Sequence, residues 1–107
     1  MIKKKTMNKV KIEISEADLA MFCKRNHIRK LSFFGSVLRD DFRPDSDLDV
    51  MVEFEEDTKI SLFDIVRIEE ELAGLAGRKV DLVEASALRN PFRRYEIMRT
   101  EQVVYGE

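Results

Sequence analysis

The chain has 107 residues, of which 44% are hydrophobic and 37% are charged. This length is typical of one domain, and this composition excludes a disordered or fibrous chain. A formal net charge of -2 gives no protein-wide attraction to nucleic acid, and no apolar run reaches signal-peptide or membrane-spanning length, so we expect a single cytoplasmic domain over residues 1–107 with no membrane contact and no direct nucleic-acid binding.

The first third of the chain predicts a strand, a helix and a second strand. Apolar and charged residues alternate over residues 10–14, which is the period of a half-buried strand, and Ser15 then resembles a helix N-cap. The helix that follows has one apolar face, which carries the chain's single cysteine, Cys23, so we expect this thiol in the core. The apolar run at residues 31–34 predicts a buried strand.

A turn and a loop separate this strand from the next. Gly35 and Ser36 lead into a short helical segment, and Pro44 disfavours helical torsions at the residue before it, which predicts a loop. Residues 47–54 then read as a second core strand.

The longest predicted helix is opened by a capping pair, Ser61 and Asp64, and runs to about Ala76, where Gly77 suits the left-handed residue past a helix end. A third strand is predicted at residues 80–83. The apolar stripe of the helix comprises Leu62, Ile65, Ile68, Leu72 and Leu75.

The end of the chain predicts one more helix and strand. Asn90 and Pro91 are typical of an N-cap and a first helical residue, and residues 103–105 read as a strand. The apolar residues on one side of this helix are Phe92, Tyr95 and Met98. The order β-α-β-α-β-α-β predicts an α/β (α+β) fold, a small mixed sheet packed on helices in two layers, with the aspartates described next on two central strands.

Three aspartates are candidate metal ligands. Strand geometry sends Asp47 and Asp49 to one face, while their apolar neighbours face the core and fix the register. Asp81 alternates with apolar neighbours in the same way and could complete the set from an adjacent strand. A hard divalent cation such as Mg²⁺ would offset the repulsion between such carboxylates, and two ions are the usual arrangement in phosphoryl chemistry.

A candidate phosphate site precedes these acids. Gly35 permits close approach of the backbone, Ser36 can cap a helix or donate to a phosphate, and Arg39 lies about one turn further on. An Asp-x-Asp pair alone is more often ordinary surface chemistry, and Ser36 alone is more often a cap. Ten residues, Val37 to Ser46, connect the two features, enough to bring them side by side.

A Gly-Ser pair, ten residues and Asp-x-Asp, the GSx10DxD motif, resembles the signature of the polymerase-beta-like nucleotidyltransferases. The segments LSFFGSVLRDDFRPDSDLDVMVEF and RKVDLV closely resemble the minimal nucleotidyltransferases of prokaryotes, and the similarity spans nearly the whole chain. The resemblance implies that Asp47, Asp49 and Asp81 bind Mg²⁺ and that Gly35 and Ser36 hold the triphosphate of ATP or another nucleotide. Arg39 matches a basic position common in the motif.

The resemblance also implies a partner. Members are often encoded beside an all-helical HEPN toxin and act as its antitoxin by transferring AMP from ATP to a tyrosine. Asp40 and Asp41 depart from the family, which often has Gly after the basic residue, so the loop is expected to be less permissive.

Two other functions stay open at this point. One is a non-catalytic antitoxin that neutralises its helical partner by contact, and the other is a small-molecule nucleotidyltransferase completed by a partner subunit. The sequence leaves the acceptor, the preferred nucleobase and self-association undetermined.

Overall fold

A computed structural model of the chain describes residues 14–35 and 47–106. The segment before Ile14, and with it most of the first predicted strand, lies outside the described residues, as do the segment from Ser36 to Ser46 and the last residue. The described elements, in chain order, are α1 (Glu16–Arg25), β1 (Ile28–Phe34), β2 (Leu48–Phe54), α2 (Leu62–Ala76), β3 (Val80–Glu84), a 3₁₀ turn (Ala85–Ala87), α3 (Pro91–Thr100) and β4 (Gln102–Tyr105).

Side-chain caps set the helix ends where the sequence predicts them. Ser61 accepts a hydrogen bond from the backbone of Asp64, and the Asp64 carboxylate accepts one from the backbone of Ser61, which completes a capping box. Gly77 ends α2 in the left-handed conformation at φ 73°. Asn90 caps α3, and Pro91 is its first residue. These predictions are confirmed.

The four described strands form one mixed sheet in the order β3-β2-β1-β4. β1 is antiparallel to both β2 and β4, whereas β2 and β3 are parallel. The prediction of a small mixed sheet is confirmed. β2 is central, as expected, and β3 lies at the edge of the described sheet.

The main core lies between one face of the sheet and the helices α1 and α2. Cys23 is fully buried there, as predicted, and burial raises the pKa of its thiol to about 12. The prediction that Leu62 belongs to the buried stripe of α2 is wrong. Leu62 is 76% exposed, because it is the first residue of α2, directly after the cap, and lies away from the sheet. Fully buried side chains of this core include Phe22, Ile28, Leu31, Phe33, Leu48, Val50, Val52, Ile68 and Leu72.

A smaller apolar cluster covers part of the opposite face. It consists of Phe34, Met51 and Ile97, so α3 packs on the side of the sheet away from α1 and α2. At the end of α3 the Lys30 ammonium lies 3.4 Å from a carboxylate oxygen of Glu101, and both side chains are largely buried. This ion pair ties the C-terminal end of α3 to β1. None of the helices in the described ranges is long and apolar enough to cross a membrane.

An ion-pair network joins α1 to α2 and gives a testable pH dependence. Burial alone would raise the pKa of Glu71, but hydrogen bonds from Arg25 and Asn26 and the charges of Arg25 and Arg67 together lower it below the usual 4.5. Its contribution to stability is therefore complete above the unfolded pKa and is lost as the pH falls through the lower folded pKa.

We expect Glu71→Gln to flatten the acid limb of the stability profile. Between about pH 5 and pH 3 the free energy of unfolding should fall more steeply in the wild type than in this variant. Urea unfolding followed by circular dichroism at a series of pH values measures this. Glu70→Gln is the control, because Glu70 is an exposed neighbour on the same helix. Equal slopes for the wild type and Glu71→Gln would contradict the assignment.

Candidate active site

β2 presents its aspartate as the sequence predicts. Leu48, Val50 and Val52 are completely buried, while Asp49 is half-buried and Asp47, just before the strand, is exposed. Successive residues of a strand point to opposite faces, so the apolar residues hold Asp49 on the face away from the main core. A shift of one residue would bury the carboxylate, and the register is therefore strongly fixed.

The parallel pairing of β2 with β3 brings a second carboxylate to the same place. Asp49 pairs with Asp81, and Leu48 with Val80 before it. Paired residues on neighbouring strands project to the same face, and the strands lie about 4.8 Å apart. Asp81 is exposed, so this face holds one half-buried carboxylate and one that is open to solvent.

Gly35 lies against the Asp49 side chain. Phe34 pairs with Asp49 across the antiparallel strands, so the next residue along β1 passes directly beside this carboxylate. Gly35 has φ 76°, and a Cβ added there would overlap Asp49 Oδ2 and lie 3.2 Å from Cγ. Any other residue would force the Asp49 carboxylate or the end of β1 to move and would strain the left-handed backbone. This close approach is what a backbone phosphate site beside carboxylates requires.

The three aspartates do not converge on one point. Within the two described ranges, no three His, Cys, Asp or Glu side chains are close enough together to hold a metal ion. The residues nevertheless fit Mg²⁺, because this ion is commonly held by one or two carboxylates, with substrate phosphates and water completing its shell. Asp49 and Asp81, on one face beside Gly35, supply such a pair. Ser36 and Arg39 lie outside the described residues.

The sequence missed how α3 limits this face. Met51 shares the face of Asp49 but is 3% exposed, because Phe34 and Ile97 pack on it. The face that carries Asp49 and Asp81 is therefore closed on the side of Met51. No sequence signal marks this, because nothing in the sequence separates Ile97 from its apolar neighbour Met98, which is exposed.

A cleft of about 360 Å³ lies at the other end of the sheet. Its lining includes Arg29, Glu53, Glu84 and Arg94 but none of the predicted site residues. Phe54, also in its lining, is five residues from Asp49 along β2, about 17 Å at the rise of an extended strand. The cleft is therefore separate from the aspartate site.

Comparison with known proteins gives a consistent family. Residues 17–104 match the nucleotidyltransferase domain. A Methanocaldococcus jannaschii protein, named as a candidate protein adenylyltransferase, is 30% identical over 101 residues, which is 94% of this chain and 98% of the relative. The protein adenylyltransferase MntA of Thermococcus cleftensis is 41% identical over 63 residues, which is 59% of this chain and 62% of the relative.

Solved structures show the same fold. A candidate minimal nucleotidyltransferase has a TM-score of 0.65 at 36% identity, covering 80% of this chain and 85% of its own. A toxin-antitoxin structure with AMP-PNP has a TM-score of 0.70 at 17% identity, covering 88% and 75%. A chain from a complex of tri-AMPylated Shewanella oneidensis HEPN toxin with MNT antitoxin has a TM-score of 0.63 at 17% identity, covering 86% and 70%.

Proposed function

The chain belongs to the nucleotidyltransferase domain family and is a nucleotidyltransferase enzyme, and we propose that it transfers AMP from ATP to a protein hydroxyl. The acceptor that we propose is a tyrosine of a HEPN toxin, for which this chain acts as the antitoxin. The observation that carries the proposal is the contact of Gly35 with Asp49, beside Asp81 on the neighbouring strand.

We assign the triphosphate to the end of β1. The backbone at Gly35 can approach a phosphate closely because no side chain intervenes. Ser36 and Arg39 are the proposed donors to the phosphate oxygens, one from its hydroxyl and one from its guanidinium. This arrangement would hold the α-phosphate over the face that carries Asp49 and Asp81.

We propose that Asp47, Asp49 and Asp81 hold Mg²⁺, as one or two ions. When bound, the metal would offset the negative charge that develops on the phosphates and promote loss of the acceptor proton. The half-buried Asp49 is the fixed member of this set, whereas Asp47 and Asp81 are exposed and can adjust to the substrate.

In the proposed reaction the acceptor oxygen forms a bond to the α-phosphorus, and the bond between this phosphorus and the α-β bridging oxygen breaks. Pyrophosphate leaves with the bonding electrons, and the hydroxyl proton is released. Asp81 is exposed on the outer strand of the described sheet, and we propose that the acceptor approaches there. The packed side chains of Met51, Phe34 and Ile97 exclude water from the face beyond the aspartates.

The nature of the acceptor is supported by the relatives. The names of two of them describe protein adenylyltransferases, and one of the solved structures is a complex of an AMPylated HEPN toxin. A protein acceptor also suits a site in which Asp47 and Asp81 are exposed, because a second protein can reach them without entering a deep pocket.

Asp49→Asn is expected to abolish the transfer. A purified HEPN toxin, the acceptor that we propose, would be incubated with the purified chain, Mg²⁺ and ATP labelled at the α-phosphate. Labelled partner should fall at least about 100-fold in the variant, the order expected when a group that stabilises transition-state charge is lost. Addition of EDTA to the wild type should have the same effect.

Glu84→Gln is the matched control, because Glu84 lies on the same strand as Asp81 but lines the separate cleft. It should label the partner as the wild type does. If Asp49→Asn still neutralises the toxin fully in cells, contact and not catalysis is the mechanism. Label on a small molecule and none on protein would contradict the proposed acceptor.

A further inference from the structure

The outer side of α3 carries exposed apolar side chains. Phe92 is 84% exposed, Tyr95 66% and Met98 45%. They follow one another at intervals of three residues and so share one side of the helix, along about 9 Å of its length. The sequence predicts that they share a side. Phe92 and Tyr95 face away from the sheet, Met98 also lines a small cavity beside Met51, and Ile97 makes the buried contact.

Positive charge lies near these residues in the sequence. From residue 88 to residue 100 there are four arginines and one glutamate, a local net charge of +3 in a chain of -2. The glutamate, Glu96, pairs with Arg99. No ion pair among the described residues includes Arg89 or Arg93, so these two charges are available to a partner. Aromatic residues, methionine and arginine are the types enriched at protein interfaces.

The strand registers place this helix beside the active site. β3 runs from Asp81, next to Asp49, to the far end of the sheet. The helix α3 then leads the chain back along the sheet, since β4, which follows it, begins opposite Phe33. Ile97 packs against Phe34, the residue before Gly35. Ile97 therefore lies next to the residue of β1 that pairs with Asp49, and the buried ion pair of Lys30 with Glu101 holds the end of α3 against β1.

We propose that this side of α3, the α3 patch formed by Phe92, Tyr95 and Met98 with Arg89 and Arg93, docks the acceptor protein. The inference rests on the proposed function, since a protein adenylyltransferase must hold its protein acceptor beside the aspartates. The partner surface that fits has apolar residues at its centre and carboxylates around them.

A second apolar surface on α2 provides a matched control. Leu62, Phe63 and Val66 are 76%, 85% and 46% exposed, which is close to the values of the α3 patch. This surface belongs to a helix that packs on the opposite face of the sheet, away from Asp49 and Asp81. It is comparably apolar and exposed but cannot border the active site.

The test measures binding without catalysis. A purified HEPN toxin, the partner that we propose, is titrated with the chain in the absence of ATP, and the dissociation constant is determined by calorimetry. We expect Phe92→Ser with Tyr95→Ser to weaken binding at least about 10-fold, the order of losing central interface residues. Leu62→Ser with Phe63→Ser should change it less than about 2-fold. Circular dichroism and thermal unfolding check that both variants are folded.

The arginines of the α3 patch, Arg89 and Arg93, give an independent test. Arg93→Glu should weaken binding and reduce its dependence on salt, because a rim charge acts through screened electrostatics. Asp49→Asn should bind the partner normally while failing to transfer label. Normal docking without transfer in the wild type would therefore overturn the proposed activity and leave the α3 patch standing.

Several results would overturn the docking assignment. These are unchanged binding by the Phe92→Ser, Tyr95→Ser variant, an equal loss in the α2 control, or no binding of the wild type to this partner. A dimer of the free chain that the α3 variant dissociates, seen by sedimentation, would make the patch a contact between copies. Binding of single-stranded RNA that the same variant loses, with protein binding intact, would make it a nucleic-acid site.

Discussion

Gly35→Ala is expected to reduce AMP transfer at least about 100-fold while the fold is retained, because the change falls where backbone and carboxylate must meet. A Cβ at this position would overlap Asp49 Oδ2, and the residue has a left-handed φ of 76°. Either the Asp49 side chain rotates away or the end of β1 moves, and both displace the phosphate site from the aspartates. The left-handed conformation itself costs about 1–2 kcal/mol for alanine, which is a moderate loss for the whole domain.

The measurements for Gly35→Ala are the labelling assay, ATP binding by calorimetry and the free energy of unfolding in urea. Gly74→Ala is the control, because Gly74 lies within α2 and no atom is within 4 Å of an added Cβ. Alanine there should raise the stability by roughly 0.5–1 kcal/mol and leave the transfer unchanged. A Gly35→Ala variant that retains more than about a tenth of the wild-type transfer would show that the contact with Asp49 is not needed.

The predictions that held are those determined by short-range chemistry. The capping box of Ser61 and Asp64, the N-cap at Asn90 and the alternation around Asp49 all depend on neighbours within four residues. A hydroxyl or carboxylate that satisfies free backbone groups has the same effect in any fold. Sequence patterns can therefore locate these helix ends and the outward-facing acid.

The predictions that failed depend on where one element meets another. The sequence placed Phe92, Tyr95 and Met98 on one side of α3 but did not identify the residue that contacts the sheet, which is Ile97. The path of the chain decides this, since α3 has to lie over Met51 and Phe34 between β3 and β4. Leu62 has an apolar side chain in phase with the core, but it lies at the helix start, away from the sheet.

The site shows the same division. The alternation of apolar and polar residues predicts that Asp49 and Asp81 each face away from the core. Their pairing depends on the register between the parallel strands β2 and β3, which no local sequence pattern determines. The contact of Gly35 with Asp49 follows from the antiparallel pairing of β1 with β2. The prediction that these residues lie together therefore depended on the ten-residue spacing and on the family resemblance. The roles of Ser36 and Arg39 stay predictions.

Among the variants proposed here, Phe33→Ala should lower the free energy of unfolding most, by about 3–5 kcal/mol. Removing a phenylalanine from a packed core leaves a cavity and also loses the burial of its apolar surface. Phe33 is completely buried, and its strand pairs on both sides, with Val50 of β2 and Gln102 of β4. The loss should appear as a lower urea midpoint with little change in the slope of the transition.

Phe92→Ala is the matched control, the same replacement at a side chain that is 84% exposed, and it should change the free energy of unfolding by less than about 0.5 kcal/mol. The two variants separate what holds the sheet together from what we propose binds the acceptor: one should unfold readily, and the other should be stable but bind its partner weakly. A loss below about 1 kcal/mol for Phe33→Ala would mean that the core around β1 repacks, and the active site could not then rely on this strand to hold Gly35 against Asp49.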